Sequence, residues 1–478
     1  MAPLTVGFDL DMTLIDSRPG IAATWARVSE ETGVRVDGEL ATSRLGPPVE
    51  LEVAQWFPPE RVQEVADLYR ALYPSTAVAR VGALPGAVES VAAVRRHGGR
   101  VLVVTGKHAP SARLHLDHLG MAVDEVVGQS FAAVKGERLL ERGAHVYVGD
   151  HLGDLEAARG AGAVAVGVAT GPYDAAALRA AGFDVVLDDL TGFPAWLDEH
   201  VLQRRLADLE ERLRGLGSVL VALSGGADSA FLLAAAVRAL GPERVAAATG
   251  ESASLATGEL DGARALAASL GVRHLAPATA EQERPGYRAN GPDRCAHCKA
   301  ELLDVLRPLA EAEGLAAVAT GTNADDAASG LRPGIAAAQD RGAVAPLRDA
   351  GLTKAQVREA SRRWGVPTWD KPAAACLASR VAYGLEVTPE RLARVDRAEA
   401  ALRSALVAAG VPVRDLRVRD LGDRARVEVD AAAVARVAAL PAAAEAVTGA
   451  GFAAVEVDPR GFRSGSMHEL LPDPRPRA

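Results

Sequence analysis

Val219-Leu220-Val221-Ala222-Leu223 runs directly into Ser224-Gly225-Gly226-Ala227-Asp228-Ser229, and this junction decides how the second half of the chain folds. The apolar run is short, β-branched at intervals and bounded by glycine, which predicts a buried strand. Ala230-Phe231-Leu232-Leu233-Ala234-Ala235-Ala236-Val237 predicts a helix. Strand, glycine turn and helix together make a cradle for phosphate. Paired glycines let the backbone approach an anion, several N–H groups converge on it, and the helix N-terminus adds a favourable partial charge. Ser224 and Ser229 add hydroxyl donors. Asp228 would repel bare phosphate, so its place in the loop points to a magnesium ion that accompanies a nucleotide. No Gly-Lys-Ser/Thr follows, which excludes a Walker A loop.

The pattern SGGxDS after a strand resembles the PP-loop of ATP pyrophosphatases, enzymes that transfer AMP to a substrate and release pyrophosphate. The resemblance implies that Ser224, Gly225, Gly226, Asp228 and Ser229 bind ATP, with Asp228 on its magnesium.

With 478 residues the chain is too long for one ordinary core, and two domains are expected. Its 49% hydrophobic and 24% charged residues are a globular composition, and no stretch is apolar enough to span a membrane. Met1-Ala2-Pro3-Leu4-Thr5 lacks the basic and apolar regions of a secretory signal, so a cytoplasmic location is expected. Three cysteines cannot pair completely, which also argues against a secreted disulfide scaffold. A net charge of -9, with no basic run interleaved with aromatics, leaves no footprint for nucleic acid.

Near the start, Val6-Gly7-Phe8-Asp9-Leu10-Asp11-Met12-Thr13-Leu14 predicts a strand that ends in two carboxylates sharing a face. A carboxylate nucleophile in phosphoryl transfer needs a metal to suppress repulsion and a nearby acid to protonate the leaving oxygen. Val101-Leu102-Val103-Val104-Thr105 ends a second strand in a hydroxyl, Lys135 follows, and Val146-Tyr147-Val148-Gly149-Asp150-His151-Leu152-Gly153-Asp154 ends another in two acids. Taken singly, each of these residues reads as ordinary surface; their order makes them a set. The set resembles the haloacid dehalogenase superfamily, whose DxDxT, Thr, Lys and GDxxxD motifs follow one another across residues 1–198. The resemblance implies Asp9 as the nucleophile that forms an aspartyl-phosphate, Asp11 as general acid/base, and Thr105 and Lys135 as phosphate binders, Lys135 among the catalytic groups. It places Asp9, Asp150 and Asp154 around magnesium, with Asp11 beside them. Met12 stands where the family usually has glycine. Residues 17–83, rich in helix formers, read as the helical cap of phosphoglycolate-phosphatase-like members.

The strand and helix alternation stops around Asp188-Asp189-Leu190-Thr191-Gly192-Phe193-Pro194, and a charged helical lead is expected over residues 201–214, which places the domain boundary near residue 199. Every cysteine lies beyond it: Cys295 and Cys298 in a CxxC, and Cys376 in Ala375-Cys376-Leu377-Ala378-Ser379-Arg380. A CxxC alone serves equally as a redox pair or half of a zinc site. Three thiolates also suit a [4Fe-4S] cluster whose fourth iron is open to sulfide or substrate. These segments, with Gly321-Thr322-Asn323-Ala324-Asp325-Asp326, Leu331-Arg332-Pro333-Gly334, Gly351-Leu352-Thr353-Lys354, Thr368-Trp369-Asp370-Lys371-Pro372 and Gly461-Phe462-Arg463-Ser464-Gly465-Ser466-Met467, resemble the LarE family across residues 200–469. Members of that family are ATP-dependent sulfur transferases that make the nickel-pincer nucleotide cofactor. The resemblance implies that ATP adenylylates a carboxylate of a pyridinium mononucleotide and that sulfur displaces AMP to give a thiocarboxylate. In one version Cys376 gives up its own sulfur and becomes dehydroalanine. In the other, Cys295, Cys298 and Cys376 hold a [4Fe-4S] cluster; retention of all three favours this version. Arg417, Arg419 and Arg426 are candidates for a substrate-phosphate site, because guanidinium binds phosphate bidentately.

The expected architecture is α/β: a Rossmann-like phosphatase domain with a helical cap (1–198), then a PP-loop domain with a small C-terminal α+β region (199–478), both with largely parallel sheets. Expected ligands are ATP, Mg2+, a phosphorylated small molecule and a pyridinium mononucleotide, with neither nucleic acid nor membrane; self-association is left open. The competing readings are another amidating or RNA-thiolating PP-loop enzyme, and a phosphatase fold kept only for interaction or sensing.

Overall fold

The computed structural model describes residues 3–44, 48–131, 133–328, 333–372, 375–463 and 466–470. Leu331-Arg332 and Ser464-Gly465 lie outside the described residues, as does Ala373-Ala374. The chain divides into two compact units, Met1–Gln203 and Arg204–Ala478. Among the described residues no single helix is long and apolar enough to cross a membrane.

The first unit contains β1 (Thr5–Phe8), β2 (Ile15–Asp16), β3 (Gly82–Ala83), β4 (Arg100–Val104), β5 (Glu125–Val127), β6 (Val146–Gly149), β7 (Val164–Val168) and β8 (Val185–Leu187). Six of them form one sheet in the order β5-β4-β1-β6-β7-β8, every pair parallel. Val6, Phe8, Val101, Leu102, Val103, Val146 and Val148 are wholly buried. A parallel strand is covered on both faces, so its sequence reads as a continuous apolar run rather than an alternation. The strand order reverses at β1, flanked by β4 and β6, and a crevice at the carboxyl ends of such strands is where open α/β sheets bind ligands. Asp9, Thr105 and Asp150 each stand one residue past the ends of β1, β4 and β6.

Helices Arg18–Thr32, Gly38–Ser43, Val49–Val53 and Val62–Ala77 fill the span between β2 and β3, whose antiparallel pairing (Ile15 opposite Ala83) closes its base. This cap has its own core, with Trp25, Val28, Val65 and Tyr73 at its centre.

The second unit carries β9 (Val219–Ala222), β10 (Val245–Ala248), β11 (Arg273–Leu275) and β12 (Ala317–Thr320), a parallel sheet in the order β11-β10-β9-β12. The glycine loop leaves the carboxyl end of β9 and enters helix Ala227–Leu240. A smaller sheet follows, of β13 (Leu416–Asp420), β14 (Arg424–Val429) and β15 (Ala454–Val457). Its β13–β14 pair is antiparallel and its β14–β15 pair parallel, and helix Pro389–Ala408 packs against β13. The helical lead expected from residue 201 begins earlier: the helix is Phe193–Leu216. Pro194 sits in its first turn, where a missing N–H costs nothing, so this proline starts the helix rather than ending the preceding element.

Candidate active sites

Just past the carboxyl end of β1, Asp9 N–H donates to Val148 O at 2.8 Å, which ties the Asp9 backbone to the neighbouring strand. Oxygens of Asp9, Asp150 and Asp154 lie within 4.8 Å of one another. Thr13 Oγ1 donates to Asp150 Oδ1 at 2.7 Å. Lys135 Nζ donates to Asp154 Oδ1 at 2.7 Å and lies 3.1 Å from Asp9 Oδ1. His151 N–H and Tyr147 OH also donate to Asp154, at 3.0 and 3.3 Å. Gly171 makes room for Asp150: a Cβ there would stand 1.9 Å from Asp150 Oδ2. Thr105 is buried beyond β4, and its hydroxyl accepts from Lys107 N–H at 3.2 Å.

Three carboxylates surround one lysine in a largely buried site. Burial pushes Asp9 up to about 7, Lys135 opposes the rise, and Asp154 and Asp11 add to it. Burial also raises Asp150, helped by Asp154 and Asp9. Lys135 is held above its usual range because Asp154 and Asp9 outweigh the opposing effect of burial. Asp9 Oδ1 is buried beside the Lys135 ammonium. Three carboxylates around one ammonium leave an excess of negative charge, which suits a hard divalent cation that takes oxygen ligands.

Met12 has φ 61°, a left-handed conformation. That explains why glycine is usual here, since an L-residue pays about 1–2 kcal/mol for it. The loop keeps its shape through Met12 N–H to Ile15 O (2.8 Å) and Thr170 Oγ1 to Met12 O (2.5 Å). Sequence reasoning missed Lys107, whose Nζ is 3.0 Å from Asp11 Oδ1 and 4.9 Å from the centre of the Tyr73 ring in the cap. Its signal was its place two residues after Thr105 at a strand end.

In the second unit, Gly225 has φ 71°, a conformation natural to glycine. Ser224 N–H donates to Ser229 Oγ at 3.2 Å, and the two hydroxyls are 3.1 Å apart. Asp228 follows Gly226 in the first turn of the helix. Burial raises its carboxyl, Lys354 opposes this, and Asp228 Oδ1 has no hydrogen-bond partner. An unsatisfied buried oxygen beside an anion cradle is what a nucleotide's magnesium would use. Lys371, not marked by the sequence as a loop contact, donates to Gly225 O at 3.1 Å and to Glu259 Oε2 at 2.7 Å. Gly321 packs so closely that a Cβ would meet Ser229 N at 2.7 Å, so the Gly321-Thr322-Asn323 segment forms part of the loop's wall.

Cys295 and Cys298 occupy the first turns of helix Arg294–Ala312, and Cys376 precedes the turn Leu377–Arg380. Burial pushes the Cys298 thiol up to about 12, with Cys376 and Glu281 adding and Lys299 opposing. Cys295 and Cys376 are exposed. The three sulfurs do not all come within 4.8 Å of one another. Tetrahedral zinc with ~2.3 Å bonds would bring them to about 3.8 Å. The arrangement does not present a preformed single-zinc site. The Cys376 backbone is anchored through its carbonyl, which accepts from Ser379 Oγ at 2.7 Å and Arg380 Nη1 at 2.9 Å.

The three arginines share one face of β13 and β14, with Arg419 opposite Arg426. Arg419 is buried and makes two bonds to the wholly buried Glu428, at 3.0 and 2.7 Å. Arg426 pairs with Glu456 at 2.7 Å. Arg417 donates to Leu416 O at 2.7 Å and lies 5.2 Å from the Phe462 ring centre. Two of the three guanidinium groups are therefore engaged by carboxylates.

Residues 6–182 match the haloacid dehalogenase-like hydrolase family. Over 274 residues the chain is 38% identical to the uncharacterized protein slr1717 of Synechocystis, spanning 57% of this chain and 99% of that protein. It is 32% identical over 271 residues to the pyridinium-3,5-bisthiocarboxylic acid mononucleotide synthase of Lactiplantibacillus plantarum, spanning 56% of this chain and 96% of that enzyme. A 190-residue match at 32% identity covers 36% of this chain and 65% of the tyrosine-protein kinase PtkA of Mycobacterium tuberculosis.

Proposed function

We propose a function for this chain from its family: it joins a haloacid dehalogenase-type phosphatase domain to a member of the LarE family, that of the pyridinium-3,5-bisthiocarboxylic acid mononucleotide synthase. The second unit transfers sulfur to a carboxylate of a pyridinium mononucleotide in the cytoplasm, at the expense of ATP. A free carboxylate does not react with a sulfur nucleophile. Transfer of AMP to it supplies a leaving group and releases pyrophosphate. Ser224, Gly225, Gly226 and Ser229 cradle the phosphates, and Asp228 holds the nucleotide's magnesium. The observation that carries this reading is the half-buried Asp228 carboxylate, whose Oδ1 has no hydrogen-bond partner, in a glycine loop at the end of a parallel strand.

Cys295, Cys298 and Cys376 would hold a [4Fe-4S] cluster, which supplies a sulfide nucleophile when bound. Intact-protein mass spectrometry after turnover tests this. An unchanged chain mass with iron retained is expected; loss of about 34 Da at Cys376, the mark of a sulfur surrendered from a covalent nucleophile, would replace the cluster with a sacrificial cysteine.

The first unit is a magnesium-dependent phosphatase. Asp9 attacks phosphorus, Asp11 serves the leaving oxygen, Thr105 and Lys135 hold the phosphoryl group, and Asp9, Asp150 and Asp154 bind the metal. Phosphate release from phosphomonoesters by the full chain, abolished by Asp9→Asn, is the expected result. No release from any of a broad panel would refute it.

A further inference from the structure

A cavity lies beneath the cap beside the phosphatase site, which it meets at Asp11 and Lys107, with Trp25, Tyr69, Tyr73 and Arg70 among its lining. One wall is aromatic and continuous: the Trp25 and Tyr69 rings are 4.8 Å apart, and Tyr69 and Tyr73 are 5.6 Å apart. The lining's lysine and arginines all have carboxylate partners. Arg44 makes two bonds to Glu52, at 3.1 and 2.6 Å; Arg70 pairs with Glu50 and with Asp67; Lys107 pairs with Asp11. A small acidic leaving group would find these cations already paired and, of their donors, the buried Arg70 Nε without a hydrogen-bond partner, so most of its carboxylate's lost hydration would go unreplaced. A planar ring would gain contact with the aromatic wall. The carboxylates of Glu50 and Glu52 keep lone pairs for hydroxyl donors.

Lys107 and Tyr73 also join cap to core. Tyr73 OH lies 3.0 Å from Nε2 of the core's His115, and the Lys107 ammonium lies over the Tyr73 ring. A cavity closed this way suits a small molecule better than a polypeptide chain.

We propose that the phosphatase substrate is a mononucleotide, with its phosphate at Asp9, its ribose hydroxyls toward Glu50 and Glu52, and its planar ring against Trp25, Tyr69 and Tyr73. The proposal rests on the phosphatase reading above. It also gives the two units a common ligand chemistry, since the second unit is proposed to act on a mononucleotide. In the reaction the Asp9 carboxylate attacks phosphorus, the bond from phosphorus to the ribose 5′ oxygen breaks, and Asp11 gives that oxygen its proton. Water then cleaves the aspartyl-phosphate, returning a proton to Asp11 and releasing inorganic phosphate.

The test is kcat/KM of the full chain for nicotinamide mononucleotide, AMP and UMP against phosphoglycolate, phosphoserine and phosphotyrosine. The mononucleotides should exceed the small acids by on the order of 100-fold, the benefit of burying a ring and ribose. Trp25→Leu and, separately, Tyr69→Leu should shrink that ratio about tenfold. Faster hydrolysis of phosphoglycolate or phosphoserine would overturn the mononucleotide assignment and leave the phosphatase standing, and phosphotyrosine as the best substrate would do the same. Failure to hydrolyse anything would instead sink the phosphatase reading. In that event calorimetric titration of nicotinamide mononucleotide into the full chain, into Trp25→Leu and into Tyr69→Leu still reads the cavity. A binding heat lost in Trp25→Leu and also in Tyr69→Leu, with the cap's hydrogen exchange unchanged, keeps the cavity as a mononucleotide site without hydrolysis, and identical titrations refute it.

Discussion

Asp9→Asn should make the metal-free first unit more stable while removing the proposed phosphatase activity. Asp9 ionises near 7 in the folded chain, chiefly through burial, against an ordinary value of 3.8. A carboxyl with a raised folded value favours the folded state most at low pH, and this contribution is lost as pH rises from about 4 to 7. At pH 8 the buried carboxylate is ionised, and roughly three pH units of displacement correspond to about 4 kcal/mol. Asn resembles the protonated acid and does not ionise. Asp9→Asn should thus stabilise the metal-free unit by about 4 kcal/mol at pH 8 and by about 2 kcal/mol at pH 5.5. With a urea slope of about 2 kcal/mol/M, the midpoint moves by roughly 2 M at pH 8 and 1 M at pH 5.5. The assay is urea unfolding in a chelator, read by hydrogen exchange in peptides of the first unit. Magnesium should narrow the gap, because it stabilises the chain with the ionised aspartate preferentially. A variant less stable than wild type at pH 8, or a gain equal at both pH values, would refute the reasoning.

Gly171→Ala should abolish phosphate release, because its Cβ falls 1.9 Å from Asp150 Oδ2 and the carboxylate must move away from Asp9 and Asp154; a loss under tenfold in kcat at saturating magnesium contradicts this. Gly225→Ala meets both a left-handed φ of 71° and Glu259 Oε2 at 3.2 Å, so ATP affinity measured by calorimetry should fall at least about tenfold, the cost of roughly 1–2 kcal/mol of backbone strain. Arg419→Ala leaves Glu428 buried without its ion partner, which should destabilise the second unit by about 3–5 kcal/mol, with much of the loss recovered on also changing Glu428 to Met. Unchanged stability in the single variant would mean that Arg419 is there for substrate phosphate alone.

The parallel sheets and strand-end acids were legible because each depends on a local pattern. A buried parallel strand is an apolar run, and a site at its carboxyl end must follow that run immediately, as Asp9, Thr105, Asp150 and Ser224 do. Lys107 and Lys371 were not legible, because each acts through residues distant in sequence: Asp11 and the cap's Tyr73 for one, Gly225 and Glu259 for the other. The arginines of β13 and β14 were read by chemical type alone. Strand pairing decides their partners, bringing Glu428 opposite Arg417 and Glu456 opposite Arg426. Helix Phe193–Leu216 starts eight residues before the expected lead because a proline ends most elements but fits a helix's first turn, where Pro194 stands.

In the proposed function the second unit activates a carboxylate with ATP and replaces one of its oxygens by sulfur. The full chain, purified without oxygen, is incubated with ATP, magnesium, a sulfide source and a pyridinium-3,5-dicarboxylate mononucleotide, and the small molecules are separated by liquid chromatography with mass detection. A product heavier by about 16 Da for each oxygen replaced by sulfur, with one AMP formed for each such exchange, is expected. AMP formation with no sulfur-bearing product, or a substrate converted to an amide, would contradict it.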